Sequence, residues 1–243
     1  MQSPLPGSQV IEKSETSSDE AEHPVVTLAV IRANTRVNTF IESSNEALGI
    51  IGYTEHGQRH VTLVAETARD ILLQLGYPKR QAELAAIAGY LHDIGNAVNR
   101  VMHAQTGATI ALRILSDHHM PDHEILQIIG AIGNHHEADG FAINVVAAAL
   151  ILADKSDVHR SRVRNPDMIT FDIHDRVNYS VQHRSLSVDV ANRRIVLDLT
   201  IDTKISGVME YFEIFLSRML ASSKAAKFLS TDFSLVVNGI KLF

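Results

Sequence analysis

The chain has 243 residues, of which 45% are apolar and 21% charged, and its formal net charge is −6. This length and apolar content suffice for one large domain or for a domain with a small appendage. The acidic balance argues against a basic face for bulk nucleic-acid binding, so no nucleic-acid partner is expected. The sequence contains no cysteine, which excludes disulfides, thiolate metal sites, iron–sulfur clusters and cysteine nucleophiles.

The start of the chain carries no targeting pattern. The segment MQSPLPGSQV lacks the basic and apolar regions of a secretory signal. No apolar run reaches the length of a membrane span, so no membrane partner is expected. Together with the absence of cysteine, this predicts a cytoplasmic protein. Residues 1–24 are rich in Ser, Glu and Pro without an apolar period, which predicts a disordered or loosely docked tail.

From residue 25 to about residue 165 the apolar spacing is helical. A first helical stretch ends at Gly49 and Gly52, and later stops are supplied by Gly76 and Gly95. The sequence predicts further helices over 61–75, 79–94, 106–117, 122–136 and 143–160. The second and last of these are apolar nearly all round, so we expect them to lie at the centre of a helical bundle.

After Asn165-Pro166 the apolar period changes to alternation. Residues 186–190 and 195–201 alternate around the turn Ala191-Asn192-Arg193, which predicts a β-hairpin. A helix over 208–219 and a last strand with a turn at Asn238-Gly239 follow. The prediction is a mainly α protein: a helical domain over 25–165 and a small α+β domain over 166–243. The aromatic face of the last helix allows two uses, packing on the sheet or a homodimer contact.

Imidazoles and carboxylates recur where the apolar helices begin or end. They are His60, His92, Asp93, His103, His135, His136 and Asp154. Imidazole nitrogens and carboxylate oxygens are ligands that divalent metals accept. A buried carboxylate such as Asp154 is costly unless it is paired or metal-bound, and its other reading is a salt bridge with Lys155 or Arg160.

The order His … His-Asp … Asp, with the pair embedded in LHDIG, resembles the HD superfamily of metal-dependent phosphohydrolases over about residues 55–160. The resemblance implies an HD-type helical bundle and a first metal held by four residues. These are His60, His92, Asp93 and Asp154. In binuclear members further histidines hold a second metal, and the residues here that resemble them are His103, His135 and His136. Asp93 and a water would then bridge the two ions.

The resemblance implies a metal-dependent phosphohydrolase, in which metal ions activate a water that attacks phosphorus. Asp93 and His92 are the predicted catalytic residues, and the cations after Asp154 are predicted to bind substrate: Lys155, Arg160 and Arg164. Two divalent metals are expected, chosen among Fe, Mn, Co, Ni, Zn and Mg. The expected substrate is small and nucleotide-like. Nucleoside monophosphates, dinucleoside polyphosphates, cyclic dinucleotides and guanosine tetraphosphate stay open, as does the choice between phosphomonoesterase and phosphodiesterase.

The sequence departs from this family pattern at one position, and two alternative hypotheses stay open. Many relatives carry Lys directly after the glycine of LHDIG, where this chain has Asn96. A non-catalytic nucleotide-binding, signalling or scaffold module would keep the fold without the chemistry. A purely structural metal would tie the helices together without open coordination positions. The complete ligand set favours the enzyme.

Overall fold

The computed structural model describes residues 25–168 and 172–242, so the predicted tail over 1–24 lies outside the described residues. Within these ranges the chain is mainly α, with nine α-helices and one four-stranded sheet in its C-terminal part. The predicted fold class, a helical bundle with a small C-terminal α+β part, is confirmed. Among the helices of the described ranges, none is long and apolar enough to cross a membrane.

Seven helices build the bundle. They are α1 (Leu28–Ala33), α2 (Thr35–Ile50), α3 (Gln58–Gln74), α4 (Lys79–Leu91), α5 (His103–Asp117), α6 (Asp122–Gly133) and α7 (Val145–Lys155). As predicted, α4 and α7 are buried nearly all round, and α4 packs against both α3 and α7. Gly89 lets α4 pack tightly on α3, because a Cβ atom there would lie 2.9 Å from the Ala65 Cα of α3.

A second glycine determines how the chain leaves α4. Residues 94–97 form a single 3₁₀ turn directly after the His-Asp pair. A Cβ atom on Gly95 would lie 2.0 Å from the carbonyl oxygen of His103 and 2.5 Å from the amide nitrogen of Gly107. Only glycine therefore allows the end of α4 to contact the first turns of α5. This contact brings Asp93 and His103 to one place.

The C-terminal part contains the predicted hairpin, helix and last strand. Its elements are α8 (Ile173–Ser180), β1 (Val181–Asp189), β2 (Arg194–Ile201), α9 (Val208–Phe228), β3 (Asp232–Val237) and β4 (Ile240–Lys241). The order in the sheet is β1-β2-β3-β4. β1 and β2 pair antiparallel, α9 connects β2 to a parallel β3, and β4 pairs antiparallel with β3. Asn238 and Gly239 both have positive φ, at 51° and 79°, as the predicted tight turn requires.

Helix α8 was not among the helices predicted from the sequence. The Oδ1 atom of Asp172 accepts hydrogen bonds from the backbone N–H groups of His174 and Asp175 and so caps the helix. The helix is only eight residues long, so its apolar period is too short to stand out. The Asp cap was the available signal.

The last helix packs inward on both sides. α9 lies against α7 of the bundle and against β2 and β3 of the sheet. Tyr211 and Phe215 are buried there, so the aromatic face packs within the chain. The homodimer contact and the domain boundary at residue 165 stay predictions.

Candidate metal centre

Five helix ends meet at one point and bring six of the seven predicted ligands together. His60 lies in the first turn of α3, the His-Asp pair follows α4, and His103 begins α5. The remaining two come from the end of α6 and the last turn of α7. All six are buried: His60, His92, Asp93, His103, His135 and Asp154.

The first donor set comprises His60, His92, Asp154 and the Oδ2 atom of Asp93. The two Nε2 atoms of His60 and His92 lie 3.2 Å apart. Asp93 Oδ2 lies 3.2 Å from His92 Nε2, and Asp154 Oδ1 lies 3.5 Å from His60 Nε2. Donor atoms of His60, His92 and Asp154 all fall within 4.8 Å of one another, which is close enough to share one ion.

The second donor set comprises His103, His135 and the Oδ1 atom of Asp93. The Nε2 atoms of the two histidines again lie 3.2 Å apart. Asp93 Oδ1 lies 3.7 Å from His103 Nε2 and 3.8 Å from His135 Nε2. Asp93 thus presents one carboxylate oxygen to each set, which is the arrangement a bridging ligand needs.

Hydrogen bonds determine which nitrogen of each imidazole faces the centre. The Nδ1 atoms pair with acceptors: His60 with Asp157 Oδ2 at 2.7 Å, His92 with the Gly89 carbonyl at 2.8 Å, His103 with the Arg100 carbonyl at 3.0 Å and His135 with the Ile132 carbonyl at 2.6 Å. Because these groups only accept, each Nδ1 carries a proton, and in the neutral imidazole the Nε2 atom then presents a lone pair. Two lone pairs facing each other at 3.2 Å repel unless a cation lies between them. The donor atoms therefore fit divalent metal ions.

The charges in the centre favour metal ligation as well. Burial lowers the pKa of His135, and burial lowers the pKa of His103 to about 4, so both imidazoles are neutral near pH 7. Burial alone would raise the pKa of Asp93, but the neighbouring His92 holds it well below the ordinary range. Lys155 does the same for the pKa of Asp154. Neutral imidazoles and ionised carboxylates are the forms that bind metals.

The six donor residues lie within a segment that matches a known family. Residues 57–159 match the family model described as HD domain. This segment is an HD domain. The chain is 30% identical over 155 residues to the uncharacterized protein MJ1020 of Methanocaldococcus jannaschii, covering 55% of this chain and 60% of the relative. It is 30% identical over 115 residues to Ribonuclease Y of Thermus thermophilus, covering 44% of this chain and 18% of the relative. The chain spans less than two thirds of the length of either relative, and the predicted HD resemblance is confirmed.

Asp157 is a buried carboxylate beside the centre that the sequence prediction missed. Its carboxylate is fully buried, orients His60 and accepts hydrogen bonds from Arg59 at 2.8 and 3.3 Å. The backbone carbonyl of Asp157 accepts a further bond from Arg162 Nη1 at 2.8 Å. Such a carboxylate behind a ligating imidazole raises its basicity and fixes its orientation. The available signal was its position three residues after Asp154.

Asn96 directly follows the glycine of LHDIG and contacts Asp93. Its Nδ2 atom donates to Asp93 Oδ1 and to the Asp93 carbonyl, both at 3.0 Å. Arg100 Nη1 lies 3.4 Å from Asn96 Oδ1. The Asn96 amide therefore holds the Asp93 carboxylate, and Arg100 supplies a positive charge one turn later.

The predicted substrate-binding cations lie in three different surroundings. Lys155 is buried at the centre and pairs with Asp154 Oδ2 at 2.7 Å and Glu137 Oε2 at 2.5 Å. Arg160 lies over the ring of Tyr179, and Arg164 donates to the Asn45 and Tyr53 carbonyls. Besides Lys155, the cations that line the centre are Arg100, Arg162 and Arg218. Arg218, from α9, is the one that no sequence signal indicated.

The seventh predicted ligand, His136, lies at the edge of the second donor set. Its ring centre is 5.1 Å from that of His103, and its Nδ1 atom faces Asp139 Oδ1 at 3.4 Å. His56, one turn before His60, lies in the wall of the centre with its Nδ1 bound to the Thr54 carbonyl. Both histidines border the donor atoms, whereas the other six candidates supply them.

Proposed function

We propose that this HD domain is a metal-dependent phosphohydrolase that cleaves a phosphate ester of a small, nucleotide-like molecule. One observation carries the proposal. Two pairs of histidine Nε2 atoms converge, and the Asp93 carboxylate presents one oxygen to each pair. A centre of this kind suits two metal ions that share one bridging ligand. Substrate, metal identity and metal number all belong to the proposal.

In the proposal each donor set holds one divalent cation, and Asp93 belongs to both. When bound, such cations clamp phosphate oxygens and lower the pKa of a water toward neutrality. The Gly89 carbonyl holds the His92 ring in place, and the Asn96 amide holds the Asp93 carboxylate in place. The Asp154 carboxylate is kept ionised by its contact with Lys155.

Side chains at the mouth of the centre stabilise negative charge that develops on the phosphoryl group. Arg100 and Arg218 line the centre at its open side, and neither is fully buried. Lys155 is deeper, and its charge is already shared by two carboxylates. Positive groups that are in place before the reaction act most strongly in a site with little water. The arginines are therefore better placed for substrate than Lys155.

The first test measures bound metal and phosphate release together. Purified protein is analysed for transition metals and then assayed with Mn, Fe, Co, Ni, Zn or Mg on monoester and diester substrates. We expect about two metals per chain and hydrolysis that a chelator abolishes. Asp93→Ala should lose both metals and all activity, whereas Asp70→Ala, an exposed carboxylate on α3, should keep them.

The same assay separates the proposal from its rivals. A structural metal or a non-catalytic nucleotide-binding module would bind ions or nucleotides but release no phosphate under any condition. The name of the Thermus thermophilus relative, Ribonuclease Y, concerns RNA. Preference for a diester over the matched monoester would therefore favour phosphodiester cleavage. Preference for the monoester would favour a phosphomonoesterase.

A further inference from the structure

A cavity of about 380 Å³ opens directly beside the metal centre. The cavity and the centre share four lining residues: His56, Arg100, Glu137 and Arg218. Its volume lies within the range of small-molecule sites, about 300–1,000 Å³. A molecule in this cavity can therefore reach the donor atoms with one end.

The end of the cavity nearest the centre is cationic. The Arg100 guanidinium lies 5.1 Å from the ring centre of Tyr53, and that of Arg218 lies 4.6 Å from the ring centre of Phe215. Arg218 Nε also lies 3.4 Å from Glu137 Oε1. A guanidinium has five N–H donors, more than these contacts use, so both side chains can bind phosphate oxygens.

Away from the centre, the cavity wall carries polar groups without an excess of positive charge, beside the apolar side chains of Ile51 and Ile214. Helix α8 and its cap supply Asp172 and His174, whose side chains are 54% and 62% exposed. Asn178 lies buried in the wall, where its Nδ2 donates to the His174 carbonyl at 2.8 Å. Within the described ranges, Asn178 Oδ1 accepts no hydrogen bond. Carboxylate, imidazole and amide groups of this kind suit hydroxyl groups, whereas an extended nucleic acid needs a continuous basic groove.

We propose that this cavity binds the leaving group of the substrate, and that the leaving group is an uncharged, hydroxyl-bearing organic group of nucleoside or sugar size. Arg100 and Arg218 bind the phosphate at the boundary with the metal centre. The inference rests on the proposed phosphohydrolase function and names the substrate class of that site. It also gives residues 172–242 a part in specificity, because α8 and α9 form one wall of the cavity.

The test blocks the cavity without touching the metal centre. Ile51 lines the cavity and is 57% exposed, whereas its neighbour Ile50 is 87% exposed and does not line it. We expect Ile51→Trp to lower kcat/KM at least tenfold for nucleoside monophosphates or hexose phosphates, and by less than twofold for acetyl phosphate. Ile50→Trp should change neither. An equal loss on all three substrates, or no loss on any, would overturn the proposal.

A binding experiment separates this inference from the proposed function. Calorimetry in the presence of a chelator measures the affinity of a nucleoside monophosphate, a hexose phosphate and inorganic phosphate without turnover. Ile51→Trp should weaken the organic phosphates tenfold and leave inorganic phosphate unchanged. Arg218→Ala should weaken all three, with partial recovery in Arg218→Lys and an unchanged melting temperature.

The outcomes are distinct. If organic phosphates bind in this pattern but no metal supports hydrolysis, the proposed function is wrong, and the cavity is still a binding site for the organic part of a phosphate ester. If phosphate is released while Ile51→Trp leaves substrate preference and affinity unchanged, the function stands and the cavity assignment is wrong. Cleavage confined to polynucleotides would also overturn the assignment. Binding of nucleoside monophosphates without hexose phosphates, or the reverse, identifies the leaving group.

Discussion

The two donor sets of the metal centre share Asp93 but differ in what lies behind them. In the first set, the ionised carboxylate of Asp157 orients His60, and Asp154 adds a second anionic ligand. In the second set, backbone carbonyls orient both His103 and His135, and Asp93 is the single carboxylate. A carboxylate behind an imidazole raises its basicity, and anionic ligands strengthen the attraction for a cation. We therefore expect the first set to bind its metal more tightly.

The surroundings of the two sets also favour tighter binding in the first set. His60 and His92 are fully buried, whereas the second set borders the half-buried His136 and a cavity lined by Arg100 and His103. A tightly held ion and a more exchangeable one would thus lie on opposite oxygens of one carboxylate. Two donor sets that share a carboxylate therefore need not bind metal equally.

Removing a ligand of the first set should have the largest effect. Asp154→Ala deletes an anionic ligand and leaves Lys155 buried with only Glu137 as its carboxylate partner. We expect less than one metal per chain and at least about a 10³-fold loss of kcat, since metal ions contribute several kcal/mol to transition-state stabilisation. Elemental analysis and phosphate release measure both. Retention of the first metal together with loss of the second would reverse the proposed order of affinities.

Removing a ligand of the second set should spare the first metal. His103→Ala deletes one Nε2 donor at the more open side of the centre. We expect one metal per chain and about a 10²-fold loss of kcat, because one of two clamping ions is lost. Stoichiometry measured before and after mild chelation checks this result. Complete loss of metal would show that the two sets bind only as a unit.

Weakening the group behind His60 should have a graded effect. Asp157→Asn removes the negative charge that faces His60, Arg59 and Arg162 but keeps an acceptor oxygen. Changes of this kind typically cost 10–100-fold in metal affinity or activity. We expect a loss of that size for the first metal and little change for the second, as measured by competition with a chelating dye. Equal weakening of both would contradict the asymmetry.

The metal-free protein should show the difference in its pH dependence. Burial lowers the pKa of His103 to about 4, whereas Asp93 and Asp154 raise the pKa of His92 above its ordinary value despite burial. Because the folded-state pKa of His103 is depressed, the unfolded chain binds more protons between about pH 6.5 and 4, and stability falls as pH falls. The difference between the unfolded-state pKa of about 6.5 and the folded-state pKa of about 4 corresponds to on the order of 3 kcal/mol in the free energy of unfolding. Denaturant unfolding in chelator should show this acid loss, and His103→Gln should reduce it.

His92 should change the stability with the opposite pH dependence. Its raised folded-state pKa contributes stability below the unfolded value, and that contribution is lost as pH rises through the folded-state pKa. NMR titration of the two imidazoles in the chelated protein should therefore show His92 titrating above His103. The reverse order would remove the electrostatic part of the comparison.

Much of the fold was predictable because the relevant signals are local. Apolar spacing predicted the helices from α3 to α7, since each buries a face or, for α4 and α7, nearly its whole surface. Alternation predicted the hairpin of β1 and β2. Helix α8 was missed, because eight residues offer few apolar positions and its start depends on one Asp cap.

The candidate site was predictable in its chemistry and less so in its support. Histidines and carboxylates at helix ends identified the donor atoms, because helix ends are where side chains from several helices can meet. Asp157 was missed because a carboxylate after a helix looks like ordinary surface until its burial is seen. Arg218 was missed because it lies 64 residues beyond Asp154 along the chain, and nothing local connects α9 to α7.

Local signals in the sequence are enough to predict a helical HD domain with imidazole and carboxylate donors, followed by a small α+β part. Long-range packing sets which Nε2 atoms pair, how the two oxygens of Asp93 are divided between the donor sets, and which cations border the centre. The reason is the distance along the chain over which each signal acts. Periodicity and capping act within a few residues, whereas convergence depends on long-range packing such as the contact of Gly95 with His103 and of α9 with α7.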